Sequence, residues 1–331
     1  MVTNRKAAIK MLKQLIFTPK SETETFRLKI EDALSVPILA NNVQRTERNY
    51  GGIICDMLEP TLYASHRIML YIHGGSFIGG SRASWRSLCA SLATVSSCRV
   101  VLPEIRLAPA HPYPAALEDI QAVFTALFSE EEISCTLDAD SGDKKDPDII
   151  IAADGSGASQ ALAFLLNLKE RYRKAIKHVI LLSPWLDLSS SSPVIMDKKS
   201  SDEVLTGESL RKSSEVYTFA SNLDNPYVSP MNASDDLLKG FPPVYIQIGE
   251  KELLLADAKR FQTKLINTGN TCTLDIWPNM MYMFQFADAY LPESHLAIER
   301  IGKMITARPK DPEDNYASYK FKIEKSLNAD A

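Results

Sequence analysis

Histidine is scarce in this chain: there are five in 331 residues, at positions 66, 73, 111, 178 and 295. That scarcity leaves few places where an imidazole could act as a base or bind a metal. The five cysteines (Cys55, Cys89, Cys98, Cys135, Cys272) are odd in number and never spaced as CxxC. The usual zinc and dithiol spacings are therefore missing, and the pattern suits reduced thiols in a cytoplasmic protein. No apolar run approaches the roughly 20 residues that span a bilayer, so no membrane span is expected. The first residues lack a secretory pattern: Ile9, Leu12, Leu15 and Ile16 alternate with Lys6, Lys10 and Lys13, which predicts an amphipathic helix. Neither charge sign dominates, with 37 Lys+Arg against 41 Asp+Glu and a formal charge of −4. That balance argues against nucleic acid and anionic membrane surfaces as partners. No internal repeat, metal-ligand spacing or cofactor motif is present, so neither a metal nor a cofactor is expected.

What the chain does have is a strand–helix rhythm. Short apolar runs at 67–72, 99–102, 148–153, 178–182, 243–248 and 272–276 suit buried parallel strands. Helical stretches lie between them, 159–169 among these, so the pattern predicts βαβ units and a doubly wound, mostly parallel sheet. Residues 1–50 read as an N-terminal helical cap segment ending at a boundary around Asn49-Tyr-Gly-Gly52. The core then runs from 51 to 305. Residues 129–147 read as an acidic surface loop. Residues 189–225, with a helical pattern at 208–220, read as a cap insertion over the sheet. The charged tail, 306–331, carries few apolar residues.

Ligands of open α/β sheets bind outside the carboxyl ends of the strands. There, after the first core strand, lies His73-Gly74-Gly75-Ser76-Phe77, a turn whose glycines let backbone N–H groups approach a ligand oxygen. Arg106-Leu-Ala-Pro109 and His111-Pro-Tyr-Pro-Ala-Ala-Leu-Glu-Asp119 follow, then Ser183-Pro-Trp185, Ser229-Pro230, Phe241-Pro-Pro243 and Gly249-Glu250. In this order and spacing the motifs resemble the hormone-sensitive-lipase-like esterases, a branch of the α/β-hydrolase superfamily, over roughly residues 60–305. The resemblance implies an α/β-hydrolase fold with helical lid segments, carboxylesterase chemistry, and a Ser–His–acid triad beside an oxyanion loop. Some relatives dimerise, so a homodimer is a further expectation.

The triad positions do not match. Against the family's GDSAGG elbow the chain reads Ala153-Asp-Gly-Ser-Gly-Ala158, which puts Gly155 at the nucleophile. Ser156 is the fallback nucleophile, although the residue after the nucleophile usually lends only its N–H, and a serine there also serves a helix N-terminus. The loop close to GMxHxF reads Asn279-Met-Met-Tyr-Met-Phe284, so Tyr282 takes the base position. An ordinary tyrosine, with a pKa near 10, is a poor base at neutral pH. The acid position falls on Glu252, where the family usually has Asp. Loss of nucleophile or base costs on the order of 10⁴–10⁶ in turnover.

Three readings follow. In the first, the chain is a catalytically inactive pseudo-hydrolase binding a small carboxylate or acyl-type ligand at an oxyanion site of His73, Gly74, Gly75, Ser76, Ser156 and Gly157. In the second, it hydrolyses carboxylic esters through Ser156 or a remodelled site. In the third, it is a structural or partner-binding protein on a relic scaffold. A well-formed pocket separates the first from the third. A cleft filled by Met280, Met281, Met283 or Phe284 favours the third.

Overall fold

The computed structural model describes residues 4–34, 42–63, 67–137, 146–197 and 201–307. Eight strands form one sheet in the order β1-β2-β4-β3-β5-β6-β7-β8. They are β1 (Val43–Tyr50), β2 (Ile53–Pro60), β3 (Arg67–Ile72), β4 (Arg99–Pro103), β5 (Asp148–Asp154), β6 (Ile176–Leu182), β7 (Val244–Gly249) and β8 (Cys272–Trp277). From β3 to β8 every pairing is parallel, and β1 and β2 join antiparallel at one edge. The six strands expected from the apolar runs are all present. Their uniform apolarity follows from burial on both faces: β5 is buried from Ile149 to Asp154 and β7 throughout.

The helices are α1 (Arg5–Leu12), α2 (Thr23–Leu34), α3 (Arg82–Ser96), α4 (Ala115–Leu137), α5 (Gly155–Leu166), α6 (Glu170–Ala175), α7 (Pro193–Met196), α8 (Gly207–Tyr217), α9 (Asp235–Leu238), α10 (Leu255–Asn267) and α11 (Pro292–Thr306). α5 is buried along its whole length. α8 has the sharper two-faced pattern of a lid, with Leu210, Ser213, Ser214 and Tyr217 turned inward.

Three expectations change. Asn49–Gly52 is a hairpin turn joining β1 to β2, with Tyr50 opposite Ile53 and both glycines at positive φ. β1 reads as polar because it is an edge strand, exposed or half-exposed between Val43 and Tyr50. Residues 129–137 are the last turns of α4, not a loop. Glu131 is buried there because Arg99 pairs with it at 2.7 Å, and Cys135 is buried beside it. α5 begins at Gly155, earlier than the predicted 159, since two glycines at its start mask the helical signal. His66 and the tail from 308 lie outside the described residues. All five cysteines are buried.

Candidate functional site

The site forms where β3, β5, β7 and β8 end. The β5–α5 turn is tight, and Gly155, its first helical residue, has φ +46°. That left-handed conformation suits glycine, and it is also the strained conformation a nucleophile elbow imposes. Two residues on, Gly157 cannot carry a side chain: a Cβ there would lie 2.3 Å from the Ile72 carbonyl oxygen. The elbow backbone is therefore kept while its nucleophile position is empty.

Tyr282 fills that space. A Cβ built on Gly155 would stand 2.6 Å from the Tyr282 hydroxyl and 4.0 Å from Met283 Sδ. With Tyr282 in this position, a side chain at 155 has no room. Burial, then the carboxyls of Asp154, Glu252 and Asp202, push the Tyr282 phenol well above its ordinary pKa. It stays protonated and cannot act as a base.

Glu252 stands at the acid position, fully buried. Its Oε1 accepts from Ser183 Oγ at 2.8 Å and from Gly249 N at 2.6 Å, while Oε2 has no partner. Burial raises its pKa well above the carboxylate range, and neighbouring Asp202 adds to the rise. Ser183 Oγ also accepts from Met283 N at 3.3 Å, so one hydroxyl ties acid loop to base loop. Asp202 makes a second tie. It accepts N–H groups from Val204, Leu205 and Leu253, at 2.9, 3.2 and 2.9 Å, and from Tyr282. Ser183 was visible in a motif, but its role was not. Asp202 carries no sequence signal, because its partners are backbone groups from distant loops.

The expected oxyanion residues divide. Gly74 does not face the cleft as a donor: its N–H goes to Asp154 Oδ1 at 3.1 Å. The same carboxylate takes Tyr71 Oη at 2.8 Å and Trp85 Nε1 at 2.7 Å. Burial nonetheless lifts Asp154 to about 7, with these three bonds pulling the other way. His73 Nδ1 bonds the Gly74 carbonyl at 2.9 Å, its Nε2 is buried without a partner, and burial lowers its pKa. Gly75, Ser76 and Phe77 all have positive φ, which curls the loop tightly. Phe77 N–H donates to Ser156 Oγ at 3.1 Å, which ties the fallback nucleophile's oxygen to that loop while leaving its own O–H to donate. Of the other histidines, His295 is exposed between Asp288 and Glu299, each 3.4 Å away, and His111 is exposed.

A lid closes the space above. Ile16, from the turn after α1, meets Leu205, Ser209, Leu210 and Ser213 from the cap and Trp185 from the β6 loop. With Ser76, Ser156 and Tyr282 they enclose about 10 Å³. That holds about one water. α2 covers the oxyanion loop from outside, where Arg27 Nε reaches the Ile78 carbonyl at 2.9 Å and Phe26 and Ile30 pack against Gly79.

The sequence profile of the alpha/beta hydrolase fold family matches residues 69–286. An esterase of Acinetobacter venetianus is 34% identical over 246 residues, covering 74% of this chain and 76% of its own. A solved esterase of the bacterial hormone-sensitive lipase family superposes with a TM-score of 0.79 at 26% identity, covering 92% of this chain and 98% of that one. This chain is an α/β hydrolase of the hormone-sensitive-lipase-like branch. A hormone-sensitive lipase from a metagenome library also matches this chain, with a TM-score of 0.77 at 28% identity, covering 93% of it and all of that chain. An acetyl-hydrolase of Streptomyces hygroscopicus is 29% identical over 239 residues, covering 72% of this chain and 75% of its own. Among the described residues no helix is long and apolar enough to cross a membrane, and no acidic, histidine or cysteine cluster could hold a metal ion.

Proposed function

We propose that this chain is a non-hydrolytic member of its branch, a pseudo-hydrolase whose cleft has become a binding site. One observation carries the reading: the Tyr282 hydroxyl lies 2.6 Å from where a nucleophile's Cβ would stand on Gly155. The base position supplies the group that occupies the nucleophile's place, so neither half of the proton relay is available. Ser156 does not replace it, since the protonated Tyr282 offers no base to take the serine proton.

The ligand class suggested by the scaffold is a small acyl-type molecule or carboxylate. The enclosed space of about 10 Å³ means such a ligand enters only if Tyr282 or the lid moves. The near-closed cleft also supports a second reading, a partner-binding protein with a sealed relic site.

The deciding experiment is turnover of p-nitrophenyl acetate and butyrate by the purified protein, with Ser156→Ala run in parallel. The expected result is release indistinguishable from buffer, or weak release equal in the two proteins. Turnover that Ser156→Ala abolishes overturns the proposal and makes Ser156 a nucleophile.

A further inference from the structure

The cleft's own occupant indicates what the cleft accepts. Tyr282 is a p-hydroxyphenyl group inserted from a neighbouring loop, with its hydroxyl over Gly155 and its side chain lining a chamber of serine hydroxyls, those of Ser76, Ser156, Ser209 and Ser213. We infer that Tyr282 is a built-in stand-in for a phenol-type ligand, which binds by displacing it and placing its own hydroxyl over Gly155. This rests on the reading of the cleft as a non-catalytic binding site.

Three observations favour a neutral phenol over the carboxylate suggested by the scaffold. First, Ser76 and Ser156 line the wall with hydroxyls, which can both donate and accept and therefore suit another hydroxyl, while those of Ser209 and Ser213 are bonded within the cap to Thr206 and to the Ser209 carbonyl. Second, no cationic side chain lines the chamber, while Asp154, Glu252 and Asp202 all act electrostatically on Tyr282. A carboxylate entering there would leave water with no positive charge to neutralise it. Third, one of the expected backbone donors is committed elsewhere, Gly74 N–H to Asp154.

The loop that carries Tyr282 is bracketed by two left-handed residues. Asn279 and Met283 on either side have φ of +58°, a left-handed conformation that is strained for methionine. Leaving it returns energy that partly offsets the cost of swinging the tyrosine out. The opposing ties are Met283 N–H to Ser183 and Tyr282 N–H to Asp202.

The test compares p-cresol, 4-methylbenzoate and toluene, which share a ring and methyl group and differ in the polar head. Binding is followed by titration calorimetry on the full chain and on Tyr282→Ala, after circular dichroism shows that the variant is folded. The indole N–H resonance of Trp185, which lines the chamber, reports location, with Trp277 as the control. The expected result is that p-cresol binds both proteins, shifts the Trp185 resonance alone, and exceeds the other two probes by about tenfold or more, one hydrogen bond's worth. Tyr282→Ala binds p-cresol at least about tenfold tighter than the unaltered chain, because the displacement cost is gone.

Equal or tighter binding of 4-methylbenzoate overturns the inference in favour of an anion site. Binding of p-cresol by Tyr282→Ala alone overturns it too, since Tyr282 is then a permanent plug. No binding in either protein, or a shift elsewhere than Trp185, also overturns it. None of these bears on hydrolysis: ester turnover would sink the non-catalytic reading, while loss of p-cresol binding without turnover sinks only the phenol.

Discussion

Two neighbouring residues, Asp154 and Gly155, divide the site into parts with opposite histories. Behind the elbow, Asp154 holds Gly74 N–H, Tyr71 Oη and Trp85 Nε1, a buried network that fixes the oxyanion loop against the sheet. In front of it, Gly155 and Tyr282 carry none of the groups that ester hydrolysis needs. On the reading proposed above, the scaffold half follows the family pattern while the chemical half has been replaced. Shape and reactivity in this fold therefore rest on different side chains, and one can be lost without the other.

Asp154→Ala gives the sharpest test of that division and the largest expected effect. It leaves three buried donors without an acceptor, at about 1–3 kcal/mol each, so a loss of about 3–9 kcal/mol is expected in denaturant unfolding. A loss under about 1 kcal/mol would mean the network is not what holds the loop. Asp154 also has a pH signature. Its pKa rises from 3.8 to about 7 on folding, so the folded state binds the proton more tightly. The resulting stabilisation is fully present below about pH 4 and is lost as pH climbs through 7. Asp154→Asn keeps the shape, and the fall in stability between pH 4 and 8 is expected to flatten in that variant. An unchanged pH profile would assign the titration to another group, such as Asp257, which burial beside Asp187 lifts to about 6.

The opposite half is tested by putting the chemistry back. Gly155→Ser alone pushes a side chain into the Tyr282 hydroxyl. It should cost about 1–3 kcal/mol as overpacking and give no turnover. Combining it with Tyr282→His removes the clash and supplies an imidazole beside Glu252. Because triad members act as a unit, turnover of p-nitrophenyl acetate is expected only in the double variant, at least about tenfold above either single one. Turnover by Gly155→Ser alone would show that Tyr282 moves aside freely or acts as a base. An inert but folded double variant would show that Gly74 and Phe77, whose N–H groups are committed elsewhere, cost the scaffold its oxyanion site as well.

How much of this was legible in the sequence follows the same division. The parallel strands announced themselves because burial on both faces leaves continuous runs such as Ile149-Ile-Ile-Ala-Ala153. Gly155, Glu252 and Tyr282 were found by register against the family motifs, and the structure brings all three to one place. What stayed hidden was decided by long-range contact. β1 looks polar because one edge faces solvent. Gly74 looks like an oxyanion donor until Asp154, 80 residues away, takes its N–H. The closing of the cleft depends on Ile16, Leu205 and Leu210, ordinary apolar residues until the lid brings them together.

The smallest effect concerns how firmly the lid is held. Arg5, on α1, donates to the Asn279 carbonyl at 2.8 Å and pairs with Glu203 of the cap. Both side chains are well exposed, at 30% and 42%, so solvent screens the pair and Arg5→Ala should cost under about 1 kcal/mol of global stability. The local effect need not be small, because Arg5 joins the N-terminal segment to both the cap and the loop that carries Tyr282. Hydrogen exchange should therefore quicken at Met283 and Leu205 in Arg5→Ala, while β5 amides keep their wild-type rates. Uniform quickening across the sheet would mean that Arg5 supports the whole fold. No quickening would leave Asp202, which bonds Val204 and Leu205 of the cap as well as Leu253 and Tyr282, as the tie that holds the cap to the loops beneath it.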